Sequence, residues 1–210
     1  MQSHIADELR DLLDTRGEEE APLQNFLEEH PEILARTFNQ GAFGSTVIPQ
    51  FKLAEKFVPD FLMIGHRSNW GWDVDMIEIE PAVCKPLFTK NRLAGRTLHQ
   101  AEGQIKDWQQ WMEKHEQGYF VGAALEAVKK AGGWDEHPKY YELDQPHYQP
   151  ILAFYRIVIG RRSAFQGWGT EYQRRTWEGS GRRIEIVPWD RLVDVADRLD
   201  QQTRGLPTHR

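Results

Sequence analysis

The chain is nearly free of cysteine, which restricts both its compartment and the ways in which it can be stabilised. Cys84 is the one cysteine among 210 residues, so no disulfide can form within the chain. A reducing compartment is therefore expected. The first residues lack the basic and apolar regions of a signal peptide, and no apolar run approaches the roughly 20 residues that span a bilayer. These absences predict a cytoplasmic protein without a membrane partner.

Recognisable cofactor motifs are absent as well. The eight histidines show no paired ligand spacing, and a single cysteine cannot supply a thiolate cluster, which argues against a zinc site. The glycine-containing segment 41–45 lacks the lysine of a phosphate-binding loop. No small-molecule cofactor is therefore expected.

The sequence contains no internal repeat and no low-complexity linker, which favours a single main domain. We predict a helical extension over residues 1–17, one domain over 18–202 and a short tail over 203–210. The order of apolar patterns within that domain is helices, three strands, a long helix, further strands and a terminal helix. This order indicates an α/β fold in which an antiparallel hairpin leads into a mixed sheet.

Charge is unevenly distributed along the chain, whose net charge is −6. Residues 151–210 hold eleven Arg and no Lys against seven acidic residues, a balance of +4. This leaves 15 basic and 25 acidic residues, or −10, in residues 1–150. Arginine suits bidentate phosphate contacts, so Arg161, Arg162, Arg174 and Arg175 are candidate DNA-binding residues. The alternative is that these arginine doublets are solvated ends of strands and helices.

Three acidic residues follow a pattern that suggests a metal site. A first predicted strand, 57–64, contains Asp60, and a second, 76–80, contains Glu78 and Glu80. Strand alternation puts Glu78 and Glu80 on one face, and a hairpin between the two strands carries Asp60 to the same edge. Carboxylates that converge in this way repel one another unless a hard cation such as Mg²⁺ or Mn²⁺ lies between them. The alternative is a pair of exposed strands with acidic outer faces.

Two other runs complete the predicted sheet and its cover. Residues 151–159 are almost continuously apolar, which is typical of a central strand covered on both faces. A long helix is predicted from Leu98, with one apolar stripe that contains Ala101, Ile105, Trp108 and Met112. Trp70 and Trp72 lie in or beside the hairpin turn, where they could stack on bases, support a homo-oligomer or cap the core of the sheet.

The order and spacing of several motifs resemble those of the Shedu anti-phage nucleases, a branch of the restriction-endonuclease-like PD-(D/E)xK superfamily. The likeness extends from about residue 18 to residue 199. The motifs are Glu20-x-x-x-Gln24-x-Phe26-Leu27-x-x-x-Pro31, Val58-Pro59-Asp60-Phe61, Glu78-Ile79-Glu80-Pro81, Lys85-Pro86-Leu87-Phe88, His99-Gln100-Ala101-x-x-Gln104-x-x-x-Trp108, Ile157-Val158-Ile159-Gly160-Arg161 and Ile184-Glu185-Ile186-Val187-Pro188-Trp189-Asp190-Arg191-Leu192. The resemblance implies a mixed central sheet with an antiparallel hairpin, flanked by helices.

The resemblance also implies a role for each site residue. Asp60 and Glu78 correspond to metal-binding carboxylates, and Glu20 to an acidic helix residue that completes the metal site. Gln104 corresponds to a helix glutamine that faces the active site, and Asp60, Glu78, Glu80 and Gln104 together form the implied catalytic set. The implied cofactor is Mg²⁺ or Mn²⁺.

One position departs from the superfamily pattern. Glu80 stands where most of these nucleases have a lysine that orients the attacking water and offsets charge on the phosphate. Either Lys85 or Lys90 supplies a positive charge from nearby, or Glu80 acts as a second metal ligand or as a base while metal ions provide the charge.

The sequence therefore predicts a metal-dependent DNA endonuclease of bacterial anti-phage defence, with DNA and further copies of the chain as partners. One alternative is a non-catalytic module that binds nucleic acid, or supports assembly, on a degenerate nuclease fold. Another is an interaction protein whose acidic N-terminal part binds a basic partner.

Overall fold

The fold is known from a computed structural model, which describes most of the chain. The described residues are 4–38, 43–53, 56–67, 71–83, 87, 94–115, 122–123, 126–127, 129–130, 151–165 and 184–205. Their main helices are α1 (Ile5–Arg16), α2 (Glu20–Glu29), α3 (Pro31–Phe38), α4 (Arg96–Lys114) and α5 (Trp189–Gly205). The strands are β1 (Phe43–Pro49), β2 (Phe61–Arg67), β3 (Gly71–Ile79), β4 (Ile151–Val158) and β5 (Ile184–Val187).

The five strands form one mixed sheet in the order β1-β2-β3-β4-β5. β2 pairs antiparallel with β1 on one side and with β3 on the other. The remaining pairs, β3 with β4 and β4 with β5, are parallel. The predicted hairpin and mixed α/β sheet are thus confirmed. The predicted 57–64 strand differs from the structure, in which β2 begins only at Phe61. Pro59 cannot donate a hydrogen bond within a ladder, and Phe57 instead forms an isolated bridge with Leu53.

Helices cover the sheet on both faces. The apolar stripe of α4 packs on one face, in a core that includes Val74 and Met76 of β3. The other four helices pack on the opposite face, in a core that includes Ile77 and Ile79. Trp72 belongs to the α4-side core, which favours the core-capping interpretation of this residue; Trp70 lies outside the described residues.

β4 occupies the central position that its apolar sequence predicts. It pairs with β3 on one side and β5 on the other, and Ile157 and Val158 are fully buried on opposite faces. One arginine interrupts the apolar run: Arg156 is fully buried on the face covered by α3 and α5. Its guanidinium forms ion pairs with Asp75 of β3 and Glu185 of β5.

The first helix, predicted as an extension, packs against α5 and α2. Leu9 and Leu13 of α1 are buried in the same core as Leu192 and Ala196 of α5. Gly17 ends α1 at a place where a Cβ atom would lie 2.3 Å from the Leu13 carbonyl oxygen, so a side chain would clash there. Among the helices that the structure describes, none combines the length and apolarity needed to cross a membrane.

Candidate active site

The predicted acidic residues meet at one edge of the sheet. β3, β4 and β5 are parallel, so their carboxyl ends lie at the same edge. β2 is antiparallel to β3 and begins at this edge, where Phe61 pairs with Ile77. Asp60, just before β2, therefore lies beside the end of β3, which carries Glu78. The carboxyl ends of strands in open α/β sheets are the usual location of ligand sites.

The Asp60 carboxylate is held by two neighbours. Its Oδ2 accepts a hydrogen bond from the backbone N–H of Ile79 at 2.9 Å, and its Oδ1 accepts one from Nε2 of Gln50 at 3.3 Å. The Gln50 N–H also donates to the Asp60 carbonyl oxygen at 2.9 Å. Gln50 adopts a φ of 49°, in the left-handed region that is unusual for residues other than glycine.

Gln50 is a site residue that the sequence pattern does not reveal. It directly follows β1, and it comes opposite Asp60 because Pro49 pairs with Phe61. Only the register between β1 and β2 shows this proximity. The one signal in the sequence is that Pro49-Gln50 ends an apolar run, as Pro59-Asp60 begins one.

Glu78 and Glu80 are both buried, at 6% and 7% exposure. The backbone of Glu80 is fixed from two sides: its N–H donates to the Val158 carbonyl oxygen, and its carbonyl oxygen accepts from Nε1 of Trp189, each at 2.8 Å. Trp189 is fully buried at the start of α5. This tryptophan is a second positioning residue that sequence reasoning missed as part of the site.

Gly160 secures the same corner. Its N–H donates to the Pro81 carbonyl oxygen and its own carbonyl oxygen accepts from the Trp189 N–H, both at 3.0 Å. The glycine has a φ of 64°, a conformation that side-chain-bearing residues rarely adopt. The segments that follow β3 and β4 are thereby tied to the first turn of α5.

Two helices on opposite faces of the sheet complete the cluster. Glu20 is the first residue of α2, and its carboxyl group lies close enough to that of Glu80 to raise the pKa of Glu80. Gln104, in α4, lies close enough to Glu78 to oppose the rise in the pKa of that carboxyl group. The structure thus brings together all five residues that the resemblance selects, from the adjoining ends of β2 and β3 and from two helices.

Burial and mutual repulsion raise the pKa values of three carboxyl groups. Desolvation, followed by the charges of Asp60, Glu80 and Glu20, raises the pKa of Glu78 to about 9. Desolvation and the proximity of Glu20 raise the pKa of Glu80 to about 8. Desolvation also raises the pKa of Asp60 to about 6, against the opposing hydrogen bond from Ile79. Without a cation, the cluster therefore retains protons near neutral pH.

The donor chemistry of this cluster fits a hard cation. All its ionisable groups are carboxylates, which Mg²⁺ and Mn²⁺ prefer. The Oε2 atom of Glu78 is buried without a hydrogen-bond partner, an arrangement that a cation or an ordered group can relieve. Within the described ranges, no three His, Cys, Asp or Glu side chains already form a ready-made set of metal ligands.

Comparison with known families assigns most of the chain to one family. Residues 17–193 match the family model described as the C-terminal part of Shedu protein SduA. The match includes every residue of the acidic cluster and most of the 210-residue chain. The chain belongs to the Shedu family. A search of curated proteins finds no match.

The predicted DNA-binding arginines of this Shedu protein fall into two groups. Arg161 forms ion pairs with Asp190 and Asp14, and Arg162 pairs with Asp194. Both arginines therefore already have acidic partners on α1 or α5, and DNA contacts by them stay a prediction. The second doublet, Arg174 and Arg175, lies outside the described residues.

The lysines that could replace the missing cation also lie outside the described residues of this Shedu protein: Lys85 and Lys90. The nearest described positions are 83 and 87. Cationic support by either lysine stays a prediction.

Proposed function

We propose that this Shedu protein is a metal-dependent DNA endonuclease of the PD-(D/E)xK type and acts in bacterial defence against phage. The main support is the convergence of Asp60, Glu78, Glu80, Glu20 and Gln104 at the carboxyl edge of the sheet. A cluster of buried carboxylates that repel one another destabilises the fold, because its charges are poorly solvated. Such a cluster therefore supports a functional role for its residues. Membership of the Shedu family supports the assignment to defence.

Asp60, Glu78 and Glu20 would hold Mg²⁺ or Mn²⁺. A cation bound by them supplies activation of water and stabilisation of the charge that develops on the phosphate. The protein's own contribution is to orient these ligands. The Ile79 N–H and Gln50 hold Asp60, and Gln104 lies beside Glu78.

Glu80 is suited to move a proton in this reaction. A cation held by the neighbouring Glu20 and Glu78 would lower the raised pKa of Glu80, so that its carboxylate could accept a proton near neutral pH. In hydrolysis, the attacking water loses a proton as its oxygen bonds to phosphorus and the bridging P–O bond breaks. We assign acceptance of that proton to the Glu80 carboxylate, and the leaving oxygen takes a proton from solvent.

A plasmid-nicking assay with Mg²⁺ or Mn²⁺ tests the proposal. We expect the protein to convert supercoiled DNA to nicked or linear DNA with metal and not with chelator. Asp60→Asn and Glu78→Gln should each reduce the rate at least about 100-fold, because loss of supporting residues alone costs roughly 10–100-fold at metal sites. Glu113→Gln, which changes an exposed acid of α4, is the matched control and should retain the parental rate.

The alternative of a degenerate fold makes a different prediction for the same assay. Salt-sensitive DNA binding without cleavage in either metal would overturn the enzyme assignment and favour a binding module. Absence of both cleavage and binding would contradict both.

A lysine double variant tests the source of positive charge. If Lys85 or Lys90 offsets charge on the phosphate, Lys85→Ala/Lys90→Ala should lower the nicking rate at saturating DNA and metal. Undiminished nicking by this variant would leave metal ions as the main cationic source.

A plaque assay with bacteria that express wild type or Glu78→Gln tests the defence role: only the wild type should lower phage plating.

A further inference from the structure

A cleft along the C-terminal half of α4 combines aromatic rings with positive charge. It has a volume of about 410 Å³, within the range of roughly 300–1,000 Å³ that is common for ligand pockets. One wall is Lys56 with Phe57, and the other is the C-terminal half of α4. The cleft is lined by Lys56, Phe57, Asp107, Trp111, Lys114 and His115, among others.

Each wall of this cleft is close in the sequence to a residue of the acidic cluster. Phe57 lies shortly before Asp60, and the backbone N–H groups of Leu53 and Phe57 each donate to the carbonyl oxygen of the other residue. On α4, Trp111 follows Gln104 by seven residues, or nearly two helical turns, so the two lie on the same helix face. The cleft and Gln104 of the acidic cluster therefore lie along the same helix, α4.

The aromatic side of the cleft offers a stacking surface. The rings of Trp111 and His115 are stacked, with centroids 4.4 Å apart and planes inclined by 18°. His115 Nδ1 also lies 2.8 Å from the Trp111 carbonyl oxygen, which fixes the imidazole in place. The Trp111 ring is nearly buried, whereas His115 is exposed. His115 thus presents a supported ring to which a flat ligand can add as a third layer.

The positive side of the cleft comes from two lysines. Lys56 Nζ lies 4.9 Å from the centroid of the Phe57 ring, and Lys114 is exposed in the last turn of α4. Asp107 is the acidic residue among the lining side chains named above. Two ammonium groups around stacked rings match the alternation of phosphates and bases in a nucleic-acid strand. Proteins that bind single strands stack the bases on aromatic rings and neutralise the phosphates with cations.

We propose that this cleft binds one strand of the DNA substrate, with a base stacked on His115 and adjacent phosphates contacted by Lys56 and Lys114. The inference rests on the proposed nuclease function and identifies where the strand runs beyond the cleavage site. Ten residues of α4 between Gln104 and Lys114 span about 15 Å, at 1.5 Å per residue. This distance corresponds to roughly four nucleotides at 3.4 Å each. The cleft would thus hold the strand a few nucleotides from the scissile phosphate.

The test measures binding of a fluorescein-labelled single-stranded oligonucleotide of about 20 nucleotides by anisotropy, in chelator and at several salt concentrations. Lys56→Ala/Lys114→Ala should bind at least tenfold more weakly than wild type. Its plot of log affinity against log salt should be shallower by about 1.4, since each phosphate contact on a single strand contributes about 0.7. Lys52→Ala/Lys106→Ala is the matched control: it removes exposed lysines from the same two elements, outside the cleft lining.

Stacking is tested separately with His115→Ala. Loss of one stacked base should weaken binding by about fivefold to 100-fold, while His99→Ala, an exposed histidine at the other end of α4, should bind like wild type. In plasmid nicking, cleft variants should raise KM with little change in kcat, unlike variants of the acidic cluster.

The outcomes distinguish the cleft from the nuclease function. If wild type nicks DNA while the cleft variants bind and cleave like their controls, the cleft assignment is wrong and the nuclease proposal stands. If wild type neither binds nor nicks DNA, both fail. Weaker DNA binding by the cleft variants, with wild-type binding by their controls, supports the proposal that one DNA strand lies in this cleft.

Discussion

Glu78 shows at the scale of one residue how a functional carboxyl group opposes the stability of its own fold. It is buried, it faces three other acids, and its Oε2 atom has no hydrogen-bond partner. Its pKa is raised from 4.5 to about 9, so the folded protein holds this proton more tightly than the unfolded chain does. Ionisation of Glu78 in the folded state therefore reduces stability.

The sign of this effect predicts an unusual pH dependence in chelator. Below about pH 4.5, Glu78 is protonated in both states and carries no penalty. As pH rises from there to about 9, the free energy of unfolding falls, because the unfolded chain ionises more easily. Glu78→Gln removes this term. The variant should exceed wild type in stability by at least about 1.4 kcal/mol at pH 9, the equivalent of one pKa unit, with a smaller difference at pH 5.

Urea unfolding at the two pH values measures this difference. Glu113→Gln serves as the control, since Glu113 is exposed. Parallel stability curves for wild type and Glu78→Gln from pH 5 to 9 would contradict the prediction. Addition of Mg²⁺ or Mn²⁺ should raise the melting temperature of wild type but not that of Glu78→Gln.

At the scale of elements, α1 depends on a cap that comes from another helix. Its own N-cap residue, His4, makes no side-chain capping bond. Instead, the Asp200 carboxylate of α5 accepts hydrogen bonds from the backbone N–H groups of Ile5 and Ala6, at 3.3 and 3.0 Å. A carboxylate at this end also interacts favourably with the helix dipole. Both α1 and Asp200 lie outside the family-matched segment 17–193.

Loss of this remote cap should therefore destabilise the protein measurably. Asp200→Ala should lower the free energy of unfolding by about 1 kcal/mol, the usual effect of deleting an N-cap side chain. Gln201→Ala, at an exposed neighbouring position of α5, should change it by less than about 0.5 kcal/mol. Equal effects in urea unfolding of the two variants would show that Asp200 does not cap α1.

At the scale of the whole molecule, one buried arginine links the parallel half of the sheet. Arg156 Nε donates to Asp75 Oδ1 at 2.6 Å, and its Nη1 pairs with Glu185. Glu185 in turn accepts from Arg191 of α5 at 2.6 Å. The guanidinium carbon also lies 5.3 Å from the Phe38 ring centroid, at the end of α3. Burial raises the pKa of Asp75 to about 6, even beside Arg156.

Removal of this arginine should destabilise the whole domain. Arg156→Met leaves Asp75 buried without its partner, so we expect a loss of about 3–5 kcal/mol in urea unfolding at pH 8. Arg156→Met/Asp75→Asn should recover at least about 1 kcal/mol, because the orphaned charge is gone. Arg198→Met, at an exposed position of α5, is the control. A double variant as unstable as the sum of its two single variants would argue against coupling between Arg156 and Asp75.

Local sequence patterns were sufficient to predict most elements of this protein. The period of two in Glu78-Ile79-Glu80 indicates a strand, and the continuous apolar run 151–159 indicates a strand buried on both faces. The stripe on α4 has a helical period. These signals depend on neighbours in the chain, so they predicted the hairpin, the central strand and the acidic edge. They also placed Asp60, Glu78 and Glu80 together, since a hairpin register links positions that are close in sequence.

Only the tertiary structure decided which distant residues complete the site. Gln50 reaches Asp60 through the β1–β2 register, and the Trp189 indole reaches the Glu80 carbonyl oxygen across 109 residues of sequence separation. The buried Arg156 likewise finds Asp75 at a separation of 81 residues. No local period encodes such contacts, because they arise when strands far apart in the chain become neighbours and their buried polar groups must find partners. The acidic edge followed from local pattern, whereas its supports depended on packing.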